Sequence, residues 1–186
     1  KKILTTLQYT ISNESKEFEL FIDVSLFSWG YAWIFPHKGY TVIGCCRDAR
    51  FLKGVLLKDN FNEWLKNKNI EIKGVNLQGG MINFDYQGFD FGNKFLAGDA
   101  AGFASGITGE GIYFAMVSGR EVARKIDDPN YKTVEIDEIL KIKRTQELLL
   151  KLLPLLNKSL LNLFFNFSLF LLKVKWFKNK VLKLYS

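Results

Sequence analysis

The sequence is poor in the residues that build disulfide-bonded or metal-centred sites. Its 186 residues include two cysteines, the neighbours Cys45 and Cys46, and one histidine, His37. Adjacent cysteines do not form the disulfide framework of a small secreted domain, and they lack the spacing of zinc ligands. The composition therefore argues against a disulfide scaffold and against a metal enzyme.

Long apolar runs are also missing. No window of 18 or more residues is free of strongly polar side chains, which argues against an ordinary membrane-spanning helix. The chain is nevertheless 48% hydrophobic and 15% aromatic, which is too apolar for a disordered segment. We therefore expect a folded chain of about one domain, by the prior of roughly 100 to 200 residues per domain.

The excess of positive over negative charge is confined to one end of the sequence. Residues 1–136 hold 16 basic and 16 acidic side chains, whereas residues 137–186 hold 10 basic and 3 acidic ones. The net charge of +7 is thus a property of the last 50 residues. Because the basic residues alternate with Leu and Phe, the pattern favours a lipid surface over nucleic acid. Packing of this segment as core, with a solvated basic face, is the alternative.

The first half of the chain has the alternation of a β-sheet. Four apolar runs predict an antiparallel meander of about four strands, with a hairpin joining the first two. A helical pattern follows from Asp48 and ends in the polar residues 66–69. The four predicted strands are Ile3–Ile11, Phe18–Val24, Tyr31–Phe35 and Tyr40–Cys46.

The most informative segment of the sequence is rich in glycine. A short buried strand, Phe95–Ala97, is predicted to lead through Gly98-Asp99 and a small-residue loop into a helix from about Gly111 to Lys125. Glycine is unfavourable within regular structure, so its repetition here indicates that a ligand approaches the backbone closely. A carboxylate accepts hydrogen bonds from sugar or ribityl hydroxyls, and the start of a helix stabilises negative charge. The pattern predicts a nucleotide or flavin site.

Two segments carry a resemblance to a known family. Residues 98–102 together with 108–115 resemble the second FAD-binding motif of geranylgeranyl reductases, flavoproteins that saturate isoprenoid chains of archaeal lipids, chlorophyll precursors and quinones. Residues 31–36 are similar to the YxWxFP substrate motif of that family, and Ser28 and His37 depart from its usual pattern. The resemblance covers roughly residues 3–126.

The resemblance implies an α+β or α/β fold that is part of a two-domain, hydroxylase-like flavoprotein. An antiparallel substrate-domain sheet and helix would span residues 1–75, and part of the FAD-binding domain, with its glycine-rich loop and helix, would span 76–130. Beyond the resemblance, the residue pattern predicts that residues 131–186 form a helical tail, which begins with an amphipathic helix over 136–153. The basic residues of that helix are Lys141, Lys143, Arg144 and Lys151.

By the same resemblance, FAD is the cofactor and a prenyl chain is the substrate. No catalytic residue is assigned, and buried Cys45 and Cys46 are more typical of apolar core than of acid catalysis. The cofactor-binding residues implied are Asp99, Ala100, Gly102, Gly109, Gly111 and Ile112, and the substrate-binding residues are Tyr31, Trp33, Phe35 and Pro36.

The expected partners are an isoprenoid lipid and an electron donor, either a nicotinamide cofactor or ferredoxin. We expect a cytoplasmic location with peripheral membrane contact through residues 137–186. The G-x-G-x-x-G turn that binds the ADP half of FAD is not in the sequence. The 186 residues are therefore expected to be the C-terminal half of a longer reductase. By themselves they are expected to bind FAD weakly or not at all and to be inactive.

Two other functions stay open at this point. An FAD-dependent aromatic hydroxylase or halogenase shares the Gly-Asp-Ala stretch, although such enzymes continue with His and a Pro-rich approach to the helix. A non-catalytic module that binds a lipid surface through its basic tail is the second.

Overall fold

The structure is a computed structural model that describes residues 1–13, 15–51, 56–152 and 155. The chain divides into two compact units, residues 1–150 and residues 151–186. The part of the predicted helical tail beyond residue 152 lies outside the described residues, except for Leu155. The domain boundaries proposed from the sequence stay predictions.

The first unit contains a five-stranded antiparallel sheet, whose order in space is β2-β3-β4-β1-β5. Alternating apolar and polar residues form these strands because successive side chains point to opposite faces. The strands are β1 (Ile3–Ile11), β2 (Glu19–Phe21), β3 (Gly30–His37), β4 (Tyr40–Asp48) and β5 (Gln78–Asn83).

The predicted hairpin between the first two strands, and with it the simple meander, is wrong. β1 lies in the interior of the sheet between β4 and β5, whereas β2 pairs with β3 at the far edge. The Thr41 hydroxyl at the start of β4 donates to Asn13 O and accepts from the Ser15 N–H. These two hydrogen bonds hold the segment that follows β1 against the start of β4, before the chain reaches β2 at the edge of the sheet.

Four helices accompany the sheet in the first unit, and a fifth begins there. The four are α1 (Val24–Phe27), α2 (Leu57–Asn67), α3 (Gly98–Ala101) and α4 (Ile112–Asp127), and the fifth is α5 (Val134–Leu152). The helix predicted from near Gly111 is confirmed by α4, and the amphipathic helix predicted over residues 136–153 agrees with α5.

The predicted helix start at Asp48 is wrong. Asp48 is the last residue of β4, pairs with Leu4, and is followed by a single 3-10 turn, Ala49–Phe51. Its buried carboxylate accepts hydrogen bonds from the Arg50 backbone N–H and guanidinium, which turns the chain at this point. The helix proper begins at Leu57.

The predicted buried strand Phe95–Ala97 is also wrong. Its one sheet contact is an isolated bridge from Phe95 to Asp90, and the Leu96 N–H donates to Phe89 O. The Asp90 carboxylate accepts the N–H of Gly92, whose φ is +78°, so the segment folds back on itself as a tight loop. Local turn chemistry takes the place of the expected strand.

Two main hydrophobic clusters hold the unit together. The first lies between one face of the sheet and helices α1 and α2, with Phe27 and Phe61 fully buried. The second surrounds Phe103 and Phe114 and joins the glycine-rich segment and α4 to α5. The first cluster thus holds α1 and α2 against the sheet, and the second holds the glycine-rich segment and α4 against α5.

Candidate flavin and substrate site

The glycine-rich segment begins with a tight junction between α3 and α4. Gly98 has φ +54°, and a Cβ there would lie 2.9 Å from the Ala115 Cβ. The Gly98 N–H donates to the Ser118 hydroxyl at 2.9 Å, and that hydroxyl donates to Phe114 O. Glycine is required here because the two helices touch, and the junction places Asp99 in the first turn of α3.

The end of α3 is equally close to its neighbour. Gly102 has φ +76°, and a Cβ there would lie 2.5 Å from the Asp85 backbone. The Asn83 side-chain amide donates to Asp99 O at 2.9 Å. The end of β5 and the residues that follow it therefore pack against α3 and support it.

The loop between α3 and α4 supports itself through hydrogen bonds. The Ser105 hydroxyl accepts from the N–H groups of Ile107 and Thr108, while the Ser105 N–H donates to Glu110 O at 2.8 Å. The Gly109 N–H donates to Ser105 O at 3.0 Å. The loop thus closes on itself before the chain enters α4.

These elements surround a cavity of about 520 Å³. Four of the six predicted cofactor residues line it, namely Asp99, Gly109, Gly111 and Ile112. Ala100 is exposed, and Gly102 is buried against Asp85, so neither belongs to this lining. The other lining residues are Ile82, Ala97, Gly98 and Ala115.

Asp99 is the acidic side chain of the cavity. A Cβ built on Gly111 would lie 3.0 Å from Asp99 Oδ1, so glycine at that position leaves room for the carboxylate. Burial raises the pKa of Asp99, and the positive charge of Lys143 opposes that shift. The Asp99 side chain thus presents hydrogen-bond acceptor oxygens next to the start of α4, where the helix dipole favours negative charge on a ligand.

An aromatic row runs along one face of β3. Tyr31, Trp33 and Phe35 alternate onto that face, with centroid separations of 5.6 and 5.7 Å, and Phe18 stacks on Phe35 at 4.5 Å. Pro36 belongs to the opposite parity of the strand, at its end. The structure therefore brings together three of the four predicted substrate residues.

The aromatic row meets the glycine-rich loop at Tyr31. Its hydroxyl donates to Thr108 O at 2.5 Å, and a Cβ on Gly109 would lie 3.6 Å from that hydroxyl. This contact joins two motifs that are 77 residues apart in the sequence. The predicted cofactor cavity and the predicted substrate wall are neighbours.

Trp33 is held flat against the sheet. It is paired with Gly44 on β4, where a Cβ would lie 2.3 Å from the indole ring. The indole therefore occupies the space of a side chain on the neighbouring strand, and Trp33 is 8% exposed. Gly44 was not singled out from the sequence, because nothing local shows which residue stands opposite Trp33.

The two cysteines point to different faces of β4. Cys45 is opposite Ala32 and packs in the α2 core, whereas Cys46 is opposite Tyr31 on the aromatic side. Burial raises the pKa of Cys46 to about 11. Burial also raises the pKa of the Tyr31 phenol, with Cys46 contributing in the same direction. Both groups hold their protons at neutral pH.

The amphipathic pattern of α5 contained a site residue that the sequence prediction missed. From the sequence, Lys143 is one of four basic residues of this helix and has no assigned role. In the structure it is 4% exposed, and its ammonium donates to two backbone carbonyls beneath the loop. The sequence did contain a signal for the burial of this lysine, because it lies on the apolar stripe of the helix. The buried residues of that stripe include Ile136, Ile139, Lys143 and Leu150.

Metal centres and membrane-spanning helices are absent from the part of the chain that the structure describes. Across residues 1–13, 15–51, 56–152 and 155, no cluster of three or more His, Cys, Asp or Glu side chains is arranged to hold a metal ion. Within the same ranges, no helix has the length and hydropathy needed to cross a membrane.

Comparison with known proteins gives matches to reductases. No protein-family model matches the chain. Digeranylgeranylglycerophospholipid reductase 3 of Methanosphaera stadtmanae is 31% identical over 144 residues, covering 71% of this chain and 36% of that protein. An uncharacterized protein of Methanosarcina barkeri is 32% identical over 113 residues, covering 59% of this chain and 28% of that protein. The chain thus spans about a third of the length of these relatives.

A solved structure shares the fold. The crystal structure of a geranylgeranyl bacteriochlorophyll reductase-like protein from Thermoplasma acidophilum superimposes with a TM-score of 0.58, covering 81% of this chain and 39% of that one. The sequence identity is 23%, so this likeness concerns the fold. The mixed α+β architecture, with its antiparallel sheet, is thus of the reductase-like type. Together with the curated reductase, it shows that the chain belongs to the geranylgeranyl reductase family.

Proposed function

We propose that this chain forms the flavin-facing and substrate-facing part of an FAD-dependent reductase that saturates double bonds of a geranylgeranyl chain on a lipid. The observation that carries the proposal is the hydrogen bond from the Tyr31 hydroxyl to Thr108 O, at 2.5 Å. It sets an aromatic wall suited to a prenyl chain directly beside a cavity suited to a flavin. The curated relative is named a reductase of a digeranylgeranyl lipid, which supports this substrate class.

The residues of the cavity fit a flavin. Gly109 and Gly111 present backbone without side chains, so a planar ring system could approach the start of α4 closely. Asp99 provides an acceptor for ribityl hydroxyls on the same wall. When bound, the reduced flavin would supply the hydride that an isolated double bond requires.

The chain's own contribution is placement and exclusion of water. An isolated alkene carries no charge that a side chain could polarise, so orientation within an aromatic wall is the main lever available to the protein. Trp33 and Phe35 would line the prenyl chain, and Tyr31 would hold a proton at its hydroxyl at the end nearest the cavity. The raised pKa values of Tyr31 and Cys46 keep both groups protonated near this position.

The wider setting is proposed on the same basis. The lipid nature of the substrate suits contact with a membrane surface through residues 137–186, and reduction requires an electron donor, either a nicotinamide cofactor or ferredoxin. We propose a cytoplasmic protein that works at the membrane surface.

Flavin binding tests the cavity assignment. We expect FAD at millimolar concentration to shift the backbone NMR signals of residues 98–112 and of Tyr31, with binding weaker than micromolar for the 186 residues alone. Asp99→Asn should weaken binding, because a neutral amide accepts hydrogen bonds from hydroxyls less strongly than a carboxylate does. Glu63→Gln, on the exposed side of α2, is the matched control. Shifts confined to other parts of the chain would refute the assignment.

Substrate binding tests the aromatic wall separately. Geranylgeraniol in detergent should change the fluorescence emission of Trp33 in the wild type, and this change should be lost in Trp33→Leu but retained in Trp29→Leu. Binding of the prenyl alcohol that is equal in all three proteins would contradict the proposal.

A further inference from the structure

Lys143 is a buried lysine beneath the glycine-rich loop. It lies on α5, and its Nζ donates to Ala104 O at 2.9 Å and to Phe84 O at 3.3 Å. Ala104 is 0% and Phe84 is 1% exposed, so their carbonyls need a partner within the protein. A lysine is seldom fully buried unless it is paired, and this one is paired with backbone from two distant segments.

Those two segments frame the cavity. Ala104 belongs to the loop that joins α3 to α4, and Phe84 directly follows Asn83, whose amide donates to Asp99 O. The Lys143 ammonium thus connects α5 to the loop and to the segment at the end of β5 that supports α3. The contacts join residues 39 and 59 positions apart in the sequence.

We infer that Lys143 is a positioning residue for the flavin-binding loop, which its ammonium ties to the end of β5 and thereby keeps in the shape that presents Asp99 and Gly111 to the cavity. The inference rests on the proposed function and adds α5 to the machinery of the site. No residue of α5 was assigned to the site from the sequence.

The charges around Lys143 explain how it acts on Asp99. Burial lowers the pKa of Lys143 to about 8, Glu147, Asp85 and Asp99 oppose that shift, and Lys2 adds to it. Lys2 itself pairs with Glu147 at 2.9 Å and with Asp85 at 3.7 Å. In return, the Lys143 charge lowers the raised pKa of Asp99 and so favours the carboxylate, which is the stronger hydrogen-bond acceptor.

A first test needs no variant. In lysine-labelled wild-type chain, NMR titration should give Lys143 a pKa near 8, below the ordinary lysine value of 10.5. Between pH 8 and the ordinary value of 10.5, the unfolded chain holds the extra proton, so stability rises with pH over that window. Titration of Lys143 at the ordinary value of 10.5 would overturn the inference.

A second test compares Lys143→Met with Lys141→Met. Without its ammonium donor, the loop should exchange the amide hydrogens of residues 102–111 about tenfold faster, and the pKa of Asp99 should rise. The gain of stability with rising pH should be lost in Lys143→Met and retained in Lys141→Met. Lys143→Arg keeps a buried donor and should recover part of the loop protection.

These measurements separate the inference from the proposed function, because they are made on the chain without flavin. If the loop and Asp99 respond to Lys143→Met while FAD produces no shifts in the wild type, the positioning role stands and the flavin proposal fails. If FAD binds but loop exchange and the pKa of Asp99 are unchanged in Lys143→Met, the inference is wrong.

Discussion

The two faces of the sheet are built from the same strands but differ in what covers them. On one face, Ala32 and Cys45 pack under α2 with the fully buried ring of Phe61. On the other face, the aromatic row touches the glycine-rich loop at Tyr31 and ends near Phe18, which is 64% exposed. One face is closed by the protein's own helices, and the other presents aromatic rings that a ligand could cover. Under the proposed function, alternation within β3 assigns stability to one face and ligand recognition to the other.

The largest effect is expected on the closed face. Phe61→Ala should lower the free energy of unfolding by about 3 to 5 kcal/mol, because it leaves a cavity in a fully packed core. Phe61 lies 5.7 Å from the Tyr9 ring and 6.0 Å from the Trp64 ring, so both lose contacts. Urea unfolding measures the loss. Lys58→Ala, exposed on the same helix, is the control, and equal stabilities of the two variants would show that the α2 face is not the main core.

A smaller loss is expected where the aromatic face touches backbone. Gly44→Ala would place a methyl group 2.3 Å from the Trp33 ring and 2.8 Å from Leu7 O, so the indole must move. We expect a loss of about 1 to 3 kcal/mol and an altered near-ultraviolet circular dichroism signal from tryptophan. Gly79→Ala is the matched control, since the nearest atom to its added methyl is 3.6 Å away. An unchanged tryptophan signal in Gly44→Ala would contradict the tight pairing.

The contact between the aromatic row and the glycine-rich loop is expected to contribute less to the free energy of unfolding. Tyr31→Phe removes the hydrogen bond to Thr108 O and should cost about 0.5 to 1.5 kcal/mol near pH 7. Burial raises the pKa of Tyr31, so above pH 10 the unfolded wild type ionises first and the wild type loses stability that the variant retains. The difference between the two proteins should therefore shrink as pH rises. Tyr40→Phe, on an exposed ring, serves as the control, and a pH-independent difference for Tyr31→Phe would argue against burial of its phenol.

The smallest effect on stability is expected at the open end of the row. Phe18→Ala removes a ring that is 64% exposed and stacked on Phe35, and should cost less than about 1 kcal/mol. If the row binds a prenyl chain, the same change should weaken geranylgeraniol binding more than it weakens folding. A titration of Trp33 fluorescence beside urea unfolding compares the two losses. A large loss of stability without a loss of binding would make Phe18 part of the core.

Local patterns predicted the elements better than their arrangement. The runs at Ile3–Ile11 and Tyr40–Cys46 and the helix from near Gly111 are present because alternation, helical periodicity and glycine positions act over a few residues. Whether β1 pairs with β2 or β4 depends on contacts between distant residues, and the Thr41 hydrogen bonds that fasten the crossover leave no local signal. The proposed strand at 95–97 failed for the opposite reason, since Asp90 and Gly92 favour a tight loop that the apolar pattern concealed.

The candidate site was partly predictable for similar reasons. Close approach requires glycine, so Gly109 and Gly111 mark the cavity in the sequence itself. Gly102 was predicted as a cofactor residue, but its missing side chain makes room for the Asp85 backbone. The same absence of a Cβ serves a ligand in one place and a neighbouring segment in another, and only the fold distinguishes them.

The sequence by itself determined which segments alternate, where side chains must be absent, and where the excess positive charge lies, because these properties depend on residue chemistry and short-range geometry. Tertiary structure decided that Tyr31 reaches Thr108, that Gly44 makes room for Trp33, and that Lys143 is buried beneath the loop. Each of these is a contact between segments whose approach is set by the packing of the whole unit, so no local rule could assign it.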